Sequence, residues 1–205
     1  MQSLFAGPPR RLSADQRGDR ELRNPDVTDA ELVRQSLDGD GDAFGALVDR
    51  YGLAARRVAR AVLGSSDDAD DAVQDGMIAA WRALDRFDAG RSFRPWLMRI
   101  VANASLDLLR RRKVRRATAV PETVVSGGIP PDRAAEGALV RDRLKDALLE
   151  LPERQRVAVV LFDAEGYSHA EIANILGVPE GTVRSYVFHA RRALRGALSD
   201  FKEGE

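Results

Sequence analysis

The sequence predicts an all-α protein: two small helical domains joined by a flexible linker, the second containing a helix-turn-helix. Three observations carry that prediction. Apolar residues recur at steps of three and four along most of the chain, with no run of strand-like alternation and no sequence repeat. Serines, threonines and glycines punctuate those stripes where helices should start and stop. Over residues 117–132 the stripes lapse into ATAVPETVVSGGIPPD, whose three prolines and Gly-Gly pair mark a linker. The domains then read as 26–116 and 133–200, with tails at 1–25 and 201–205.

The elements follow in order. Residues 1–25 hold Gly7, Pro8, Pro9 and Gly18 among mixed charges with little periodicity, the pattern of a disordered tail. Thr28 and Glu31 have capping-box spacing and open a short helix ending near Gly39. Phe44, Leu47, Val48, Tyr51, Ala55, Val58, Ala59 and Val62 form the apolar face of a longer helix, which Gly64 stops. Ser66 is expected to cap the third helix. Its first turn holds Asp67, Asp68, Asp70 and Asp71, where the helix dipole favours negative charge. Val73, Met77, Ala80, Trp81 and Leu84 face inward along it, and it runs to about Arg86. A loop over 87–92 leads to a fourth helix through Phe93, Trp96, Leu97, Ile100, Val101, Ala104 and Leu108. Beyond the linker, Leu139, Leu144, Ala147, Leu148 and Leu151 restart the helical pattern, and Pro152 opens a helix through Val157, Val160 and Leu161.

Residues 168–195, SHAEIANILGVPEGTVRSYVFHARRALR, are the most informative stretch. Ser168 and Glu171 make a capping box, and Ile172, Ala173 and Leu176 lie on the inner side of a short helix. Gly177 ends it, and Pro179 suits the next helix start. Val183, Val187, Ala190 and Leu194 then form one apolar stripe. Arg184, Ser185, Phe188, His189, Arg192 and Arg195 occupy the opposite side. Two helices, a tight turn and a basic outer face describe a helix-turn-helix that reads DNA. An ordinary helical hairpin with a solvated basic face is disfavoured because turn, cap and stripe agree.

Composition narrows the remaining classes. The chain of 205 residues has no cysteine, which excludes disulfides and cysteine-zinc sites and fits an intracellular, cytoplasmic location. The longest apolar run is six residues, 157–162, against the roughly 20 that a membrane span needs. No signal peptide is expected, since residues 1–25 lack an apolar core segment. Formal net charge is zero, yet its distribution is uneven. Residues 26–75 hold 12 acids against 5 bases, residues 91–116 hold 9 bases against 1 acid, and residues 181–198 hold 4 arginines and no acid. That polarity suits a molecule with both a protein partner and a nucleic-acid partner.

Two surfaces carry the chemistry outside the helix-turn-helix. Asp71 and Asp75 stack four apart on the outer side of the third helix, with Ile78 beside them. Like charges at that spacing weaken an isolated helix by a few tenths of a kcal/mol, roughly. A solvated acidic face compensated by Arg82 and a docking face for a basic partner both remain open. On the fourth helix Arg94, Arg99, Asn103 and Arg110 lie off the apolar stripe, and Arg111, Arg112, Lys113, Arg115 and Arg116 extend the charge. Arginine forks bind phosphates, and asparagine pairs with an adenine edge. Trp96, at the edge of the stripe, either packs in the core or stacks with unpaired bases. Nothing points to catalysis: His169 and His189 lie on separate helices, and no phosphate-binding glycine loop or carboxylate–histidine metal pattern occurs. No cofactor and no metal are expected.

Four ordered segments, FGALVDRYG, DDADDAVQDGMIAAWRAL, FRPWLMRIVANASLDLLRRRK and LPERQRVAVVLFDAEGYSHAEIANILGVPEGTVRS, resemble an extracytoplasmic-function sigma factor of the sigma-70 superfamily. The resemblance covers about residues 28–198. It implies a bacterial transcription initiation factor that binds core RNA polymerase, recognises the −10 and −35 promoter elements, and assists melting. Asp71, Gln74, Asp75 and Ile78 correspond to the surface that docks on the polymerase clamp helices. The 87–92 loop and the fourth helix, with Arg94, Trp96, Arg99, Asn103 and Arg110, correspond to the part that opens and captures the −10 element. Arg184, Ser185, Phe188, His189 and Arg192 correspond to the reader of −35 duplex DNA. The linker corresponds to a strap in the RNA exit path. An anti-sigma factor, often membrane-anchored, is a further implied partner.

Two positions depart from the family pattern, which most often has Arg where this chain has Tyr186 and His189. Tyr186 lies at the flank of the stripe, where it packs. His189 replaces a permanent charge by a group largely neutral at pH 7, which implies weaker or altered contact at one position of the −35 element. Residues 1–25 have no counterpart in the family pattern. The alternatives are a stand-alone helix-turn-helix regulator and a nuclease with a DNA-binding appendage. The regulator leaves the basic fourth helix and the acidic face unexplained. The nuclease has only the 67–75 acids as a metal cluster, and their helix-start position already accounts for most of them.

Overall fold

The apolar stripes wind into helices that pack in two groups. The computed structural model describes residues 27–88, 90–118 and 134–199. The first group is α1 (Asp29–Leu37), α2 (Gly41–Leu63), α3 (Ser66–Ala83) with a 3-10 turn at Leu84–Arg86, and α4 (Phe93–Thr118). The second is α5 (Ala134–Glu150), α6 (Glu153–Val159) with a π-turn at Val160–Ala164, α7 (His169–Leu176) and α8 (Glu180–Ser199). Among the described residues there is no strand, so the all-α class holds. Both expected tails, and the expected linker apart from residues 117 and 118, lie outside the described residues.

Caps set the helix ends. Thr28 Oγ1 accepts from the Glu31 N–H at 3.3 Å, and the Asp40 carboxylate accepts from the N–H groups of Asp42 and Ala43. Gly64 closes α2 at φ +75°, a conformation that disfavours a side chain. The α3 cap is Ser65 rather than the expected Ser66. Ser65 keeps an extended backbone and accepts from the Asp68 N–H, whereas Ser66 is already helical. Two adjacent serines are alike as residue types, so composition did not separate them.

In the first group α2, α3 and α4 pack on one another, and α1 lies against α2. Leu32, Leu47, Val58, Met98 and Val101 are buried at the centre. Helices α3 and α4 approach closely at Gly76, where a Cβ would lie 3.0 Å from Val101 Cγ2 and 3.2 Å from its Cα. Trp81 corrects the expected inward set. It meets Phe44 edge-on at 4.9 Å but remains 43% exposed, because its position falls at the rim of the α2–α3 contact. Asp68, expected only as a dipole-favoured acid, is buried and pairs with Arg112 of α4.

The second group closes around Val157, Leu161, Ile172, Ile175, Val183 and Val187. A smaller cluster of Leu151, Val159 and Ala190 receives Leu148 and Leu194. Leu139, expected to restart the apolar pattern, is exposed. The two groups share one continuous apolar core. Helix α7 lies on α4, while α6, the π-turn and α5 meet α2. Arg156 fastens that seam from a site only 5% exposed. Its guanidinium donates to the carbonyls of Ala61 and Val62 in α2 and of Leu149 and Leu151 beside it.

Candidate nucleic-acid interface

The helix-turn-helix is built from its caps outward. Ser168 Oγ accepts from the Glu171 N–H, and the Glu171 carboxylate accepts from the Ser168 N–H at 2.8 Å. The Ser168 N–H and the Ser168 hydroxyl, which also donates to that carboxylate at 2.7 Å, hold the Glu171 carboxyl below the usual carboxylate range. Gly177 turns the chain at φ +63°, and the Val178 N–H donates to the Ala173 carbonyl. The Pro179 carbonyl then accepts the first bonds of α8, from Thr182 and Val183. Val183, Val187 and Ala190 are buried beneath α8.

This anchoring turns Arg184, Ser185, Phe188, His189, Arg192 and Arg195 to solvent. Phe188 is 62% exposed, a large apolar group that folding leaves unused. Tyr186 is half-buried against the core, as its flank position implied. A groove of about 640 Å³ runs along this face. Its lining includes Phe162, His169 and Arg191. Phe162 stacks on His169 at 4.4 Å, and the Arg191 guanidinium lies 4.9 Å from the Phe162 ring centre. Arg191 also pairs with Asp163, whose carboxylate raises the guanidinium pKa. The π-turn that presents Phe162 and Asp163 leaves no period in the sequence. Arg184, which lines the groove, forms an (i, i+4) pair with Glu180 at 2.6 Å.

On α4, Arg99, Asn103 and Arg110 are exposed, with Arg110 held by Asp107 at 2.8 Å. Trp96 is half-buried, its ring 4.9 Å from Phe87 and 5.4 Å from Phe93. Phe87 and Phe93 thus fix Trp96 at the foot of the 87–92 loop, where Gly90 N–H donates to the Asp88 carboxylate. Arg94 is only partly exposed, unlike Arg99 and Arg110. Its Nη2 donates to the Glu165 carbonyl at 2.6 Å, and its guanidinium lies 4.4 Å over the Tyr167 ring. A second groove, about 400 Å³, separates Arg91, Trp96 and Arg99 from Glu171, Asn174 and Ile175 of α7.

The third surface is acidic. Asp71, Gln74, Asp75 and Ile78 are all exposed on α3, with Ile78 41% exposed. Asp71 and Asp75 have no ion-pair partner among the described residues, whereas the neighbouring Asp70 pairs with Arg56 at 3.0 Å. Trp81 extends the apolar part of this patch. Among the described residues no group of three His, Asp or Glu side chains is placed to hold a metal ion, and no helix is long and apolar enough to cross a membrane.

Residues 47–115 match the family model "Sigma-70 region 2", and residues 141–194 match "Sigma-70, region 4". The RNA polymerase sigma factor NccH of Alcaligenes xylosoxydans xylosoxydans is 38% identical over 182 residues, covering 86% of this chain and 97% of its own length. The ECF RNA polymerase sigma factor SigM of Mycobacterium tuberculosis is 42% identical over 180 residues, covering 86% of this chain and 88% of its own. Among solved structures, CnrH in complex with the cytosolic domain of CnrY superposes with a TM-score of 0.65 at 35% identity, over 84% of this chain and 97% of that one. The sigma factor RpoE of Bartonella quintana, in complex with the anti-sigma factor NepR, gives 0.65 at 31% identity, over 76% and 96%.

The two family-model matches and these relatives place the chain among the promoter-specificity factors of the sigma-70 superfamily, non-enzymatic subunits that direct RNA polymerase to promoters. Within that superfamily the chain belongs to the extracytoplasmic-function sigma factors.

Proposed function

We propose that the three surfaces divide the work of initiation. Helix α8 lies along the −35 element as duplex, with Arg184, Ser185, Phe188, His189 and Arg192 at the DNA. Helix α4 and the 87–92 loop take the −10 element, with Trp96 stacking on an unpaired base while Arg99, Asn103 and Arg110 hold the separated strands. Helix α3 docks on basic helices of core polymerase through Asp71, Gln74, Asp75 and Ile78. Arg94 belongs to the −10 surface once its contact with Glu165 is released.

The observation that carries this reading is the anchored recognition helix. A full capping box, a left-handed glycine turn and three buried side chains position a face whose residues folding does not otherwise use. The exposed acids on α3 without an ion-pair partner among the described residues support the docking role, since a basic partner would relieve their mutual repulsion. No covalent chemistry is involved. Melting is offset by stacking, worth about 1–3 kcal/mol per base, and by phosphate contacts. DNA binding therefore weakens steeply with salt. The protein acts in the cytoplasm, where polymerase and promoter are. An anti-sigma factor is a further partner, supported by the CnrH–CnrY and RpoE–NepR complexes.

The test is run-off transcription with core polymerase on a genomic DNA library. Discrete start sites that vanish when the protein is omitted are expected. Tight duplex binding as a dimer, without polymerase and without specific starts, would favour a stand-alone regulator. Magnesium-dependent cleavage of the DNA would favour a nuclease.

A further inference from the structure

The four arginines that line the groove beside α8 are held unequally. Arg192 and Arg195 have no ion-pair partner among the described residues, and Arg184 pairs with Glu180 of its own helix. Arg191 is held from outside α8, by the π-turn. Its Nε donates to Asp163 Oδ2 at 2.9 Å, and its Nη2 donates to Asp163 Oδ1. The Phe162 ring backs the same guanidinium, its centre 4.9 Å away. Arg191 Nη1 has no hydrogen-bond partner among the described residues. The fork is thus fixed along one edge and open at the other. Both side chains of the pair stay exposed, Arg191 by 48% and Asp163 by 40%. An exposed ion pair adds little stability, so the fold does not account for an acid beside a groove that must receive phosphates.

We infer that Asp163 is a specificity-determining residue of the duplex reader: it restrains Arg191, so that this guanidinium grips a phosphate only when α8 is seated on its own element. The inference rests on the assignment of α8 to duplex DNA. Arg184, Phe188, Arg191 and Arg195 follow one another along one side of α8. A recognition helix meets base edges with its N-terminal residues. Arg191 lies two turns further on, about 10 Å along the axis from Arg184, where the helix leaves the base edges for the sugar-phosphate backbone. Phosphates carry no sequence information of their own, so an unrestrained arginine there strengthens binding to any duplex. Asp163 limits this in two ways. It occupies the Nε–Nη2 edge, which gives an arginine its paired hold on an anion, and leaves only Nη1 for DNA. Its own charge also repels phosphates that approach out of register. A seated α8 presents DNA in one register, whereas unseated DNA samples many. The acid therefore weakens non-specific binding more than specific binding.

The test compares two duplexes bound by polymerase holoenzyme carrying the full chain, over a range of salt concentrations. One is a promoter found by run-off transcription, and the other is the same duplex with its −35 element scrambled. Asp163→Asn should tighten binding to the scrambled duplex about threefold, the scale of one exposed ion pair, and change promoter binding much less. Discrimination between the duplexes then falls. The log–log salt dependence on the scrambled duplex should steepen by about 0.9, the signature of one more phosphate contact. Arg191→Ala should weaken promoter binding, and in that background Asp163→Asn should have no effect on either duplex. Circular dichroism should be the same for all variants. Equal shifts on both duplexes, a loss of affinity on both, or no change on either overturns the role of Asp163. An Asp163→Asn effect that persists in full without Arg191 overturns it too. Wild-type holoenzyme that binds both duplexes alike would instead strike the assignment of α8, a result distinct from discrimination that is present but indifferent to Asp163.

Discussion

A buried arginine with four carbonyl acceptors is an unusual way to join two helix ends. Arg156 meets the α2 carbonyls of Ala61 and Val62 and the carbonyls of Leu149 and Leu151 at once. Burial lowers its pKa, yet a guanidinium stays charged throughout the working pH range. Arg156→Ala removes the fork and strands acceptors in a dry site, so a loss of about 3–5 kcal/mol is expected in chemical denaturation. Arg156→Lys should recover only part, because a point charge cannot reach all four. A second residue-scale prediction concerns alkaline pH. The Tyr51 hydroxyl donates to Asp29 at 2.5 Å, and burial first, then Asp29, pushes its pKa up to about 12. In the unfolded chain it ionises near 10, so its contribution is whole below about pH 10 and fades as pH rises towards 12. Tyr51→Phe should flatten that part of the stability–pH curve. At the DNA face, His189→Arg should tighten binding and shift the preferred base at one position of the −35 element. Unchanged affinity and unchanged sequence preference would remove His189 from the account. The outward residues of α8 were legible because a stripe fixes both faces of a helix. Glu165 and Arg156 were not: an acid in a turn and an arginine among other polar residues at a helix start carry no spacing that names a partner in another helix.

Among the elements, α3 and α4 approach closely at Gly76, where an added Cβ would lie 3.0 Å from Val101 Cγ2 and oblige that side chain to shift. Gly76→Val should cost about 1–3 kcal/mol by overpacking, despite removing a helix-weakening glycine. Thermal unfolding measures this directly, and a neutral result would mean that the two helices separate easily. Helix identities and most helix ends followed from the sequence because caps and stripes are local signals. The π-turn at Val160–Ala164 did not, since it begins inside the apolar run 157–162, where no spacing marks a widened turn. The choice between Ser65 and Ser66 needed backbone angles, and Trp81's exposure needed the position of α2.

For the whole molecule, the division into two helical groups was readable from the lapse in periodicity, and the family from the order of four segments. The packing of one group on the other was not readable. It depends on Glu165, Arg57, Arg94 and Arg156, far apart in sequence and each unremarkable alone. The central claim is that α4 and α8 serve two different steps at two different elements. Permanganate footprinting of the polymerase holoenzyme on a promoter identified by run-off transcription tests this most directly. Wild-type protein should show reactive thymines near the start site together with upstream protection. Trp96→Ala and the exposed-site variant Asn103→Ala should lose thymine reactivity while upstream protection persists. Arg184→Ala combined with Phe188→Ala should lose the upstream protection, and supplying a pre-melted template should restore initiation. If the α4 variants melt DNA as wild type does, or if each set abolishes both signals alike even on pre-melted DNA, the two helices do not divide the work and the account is contradicted.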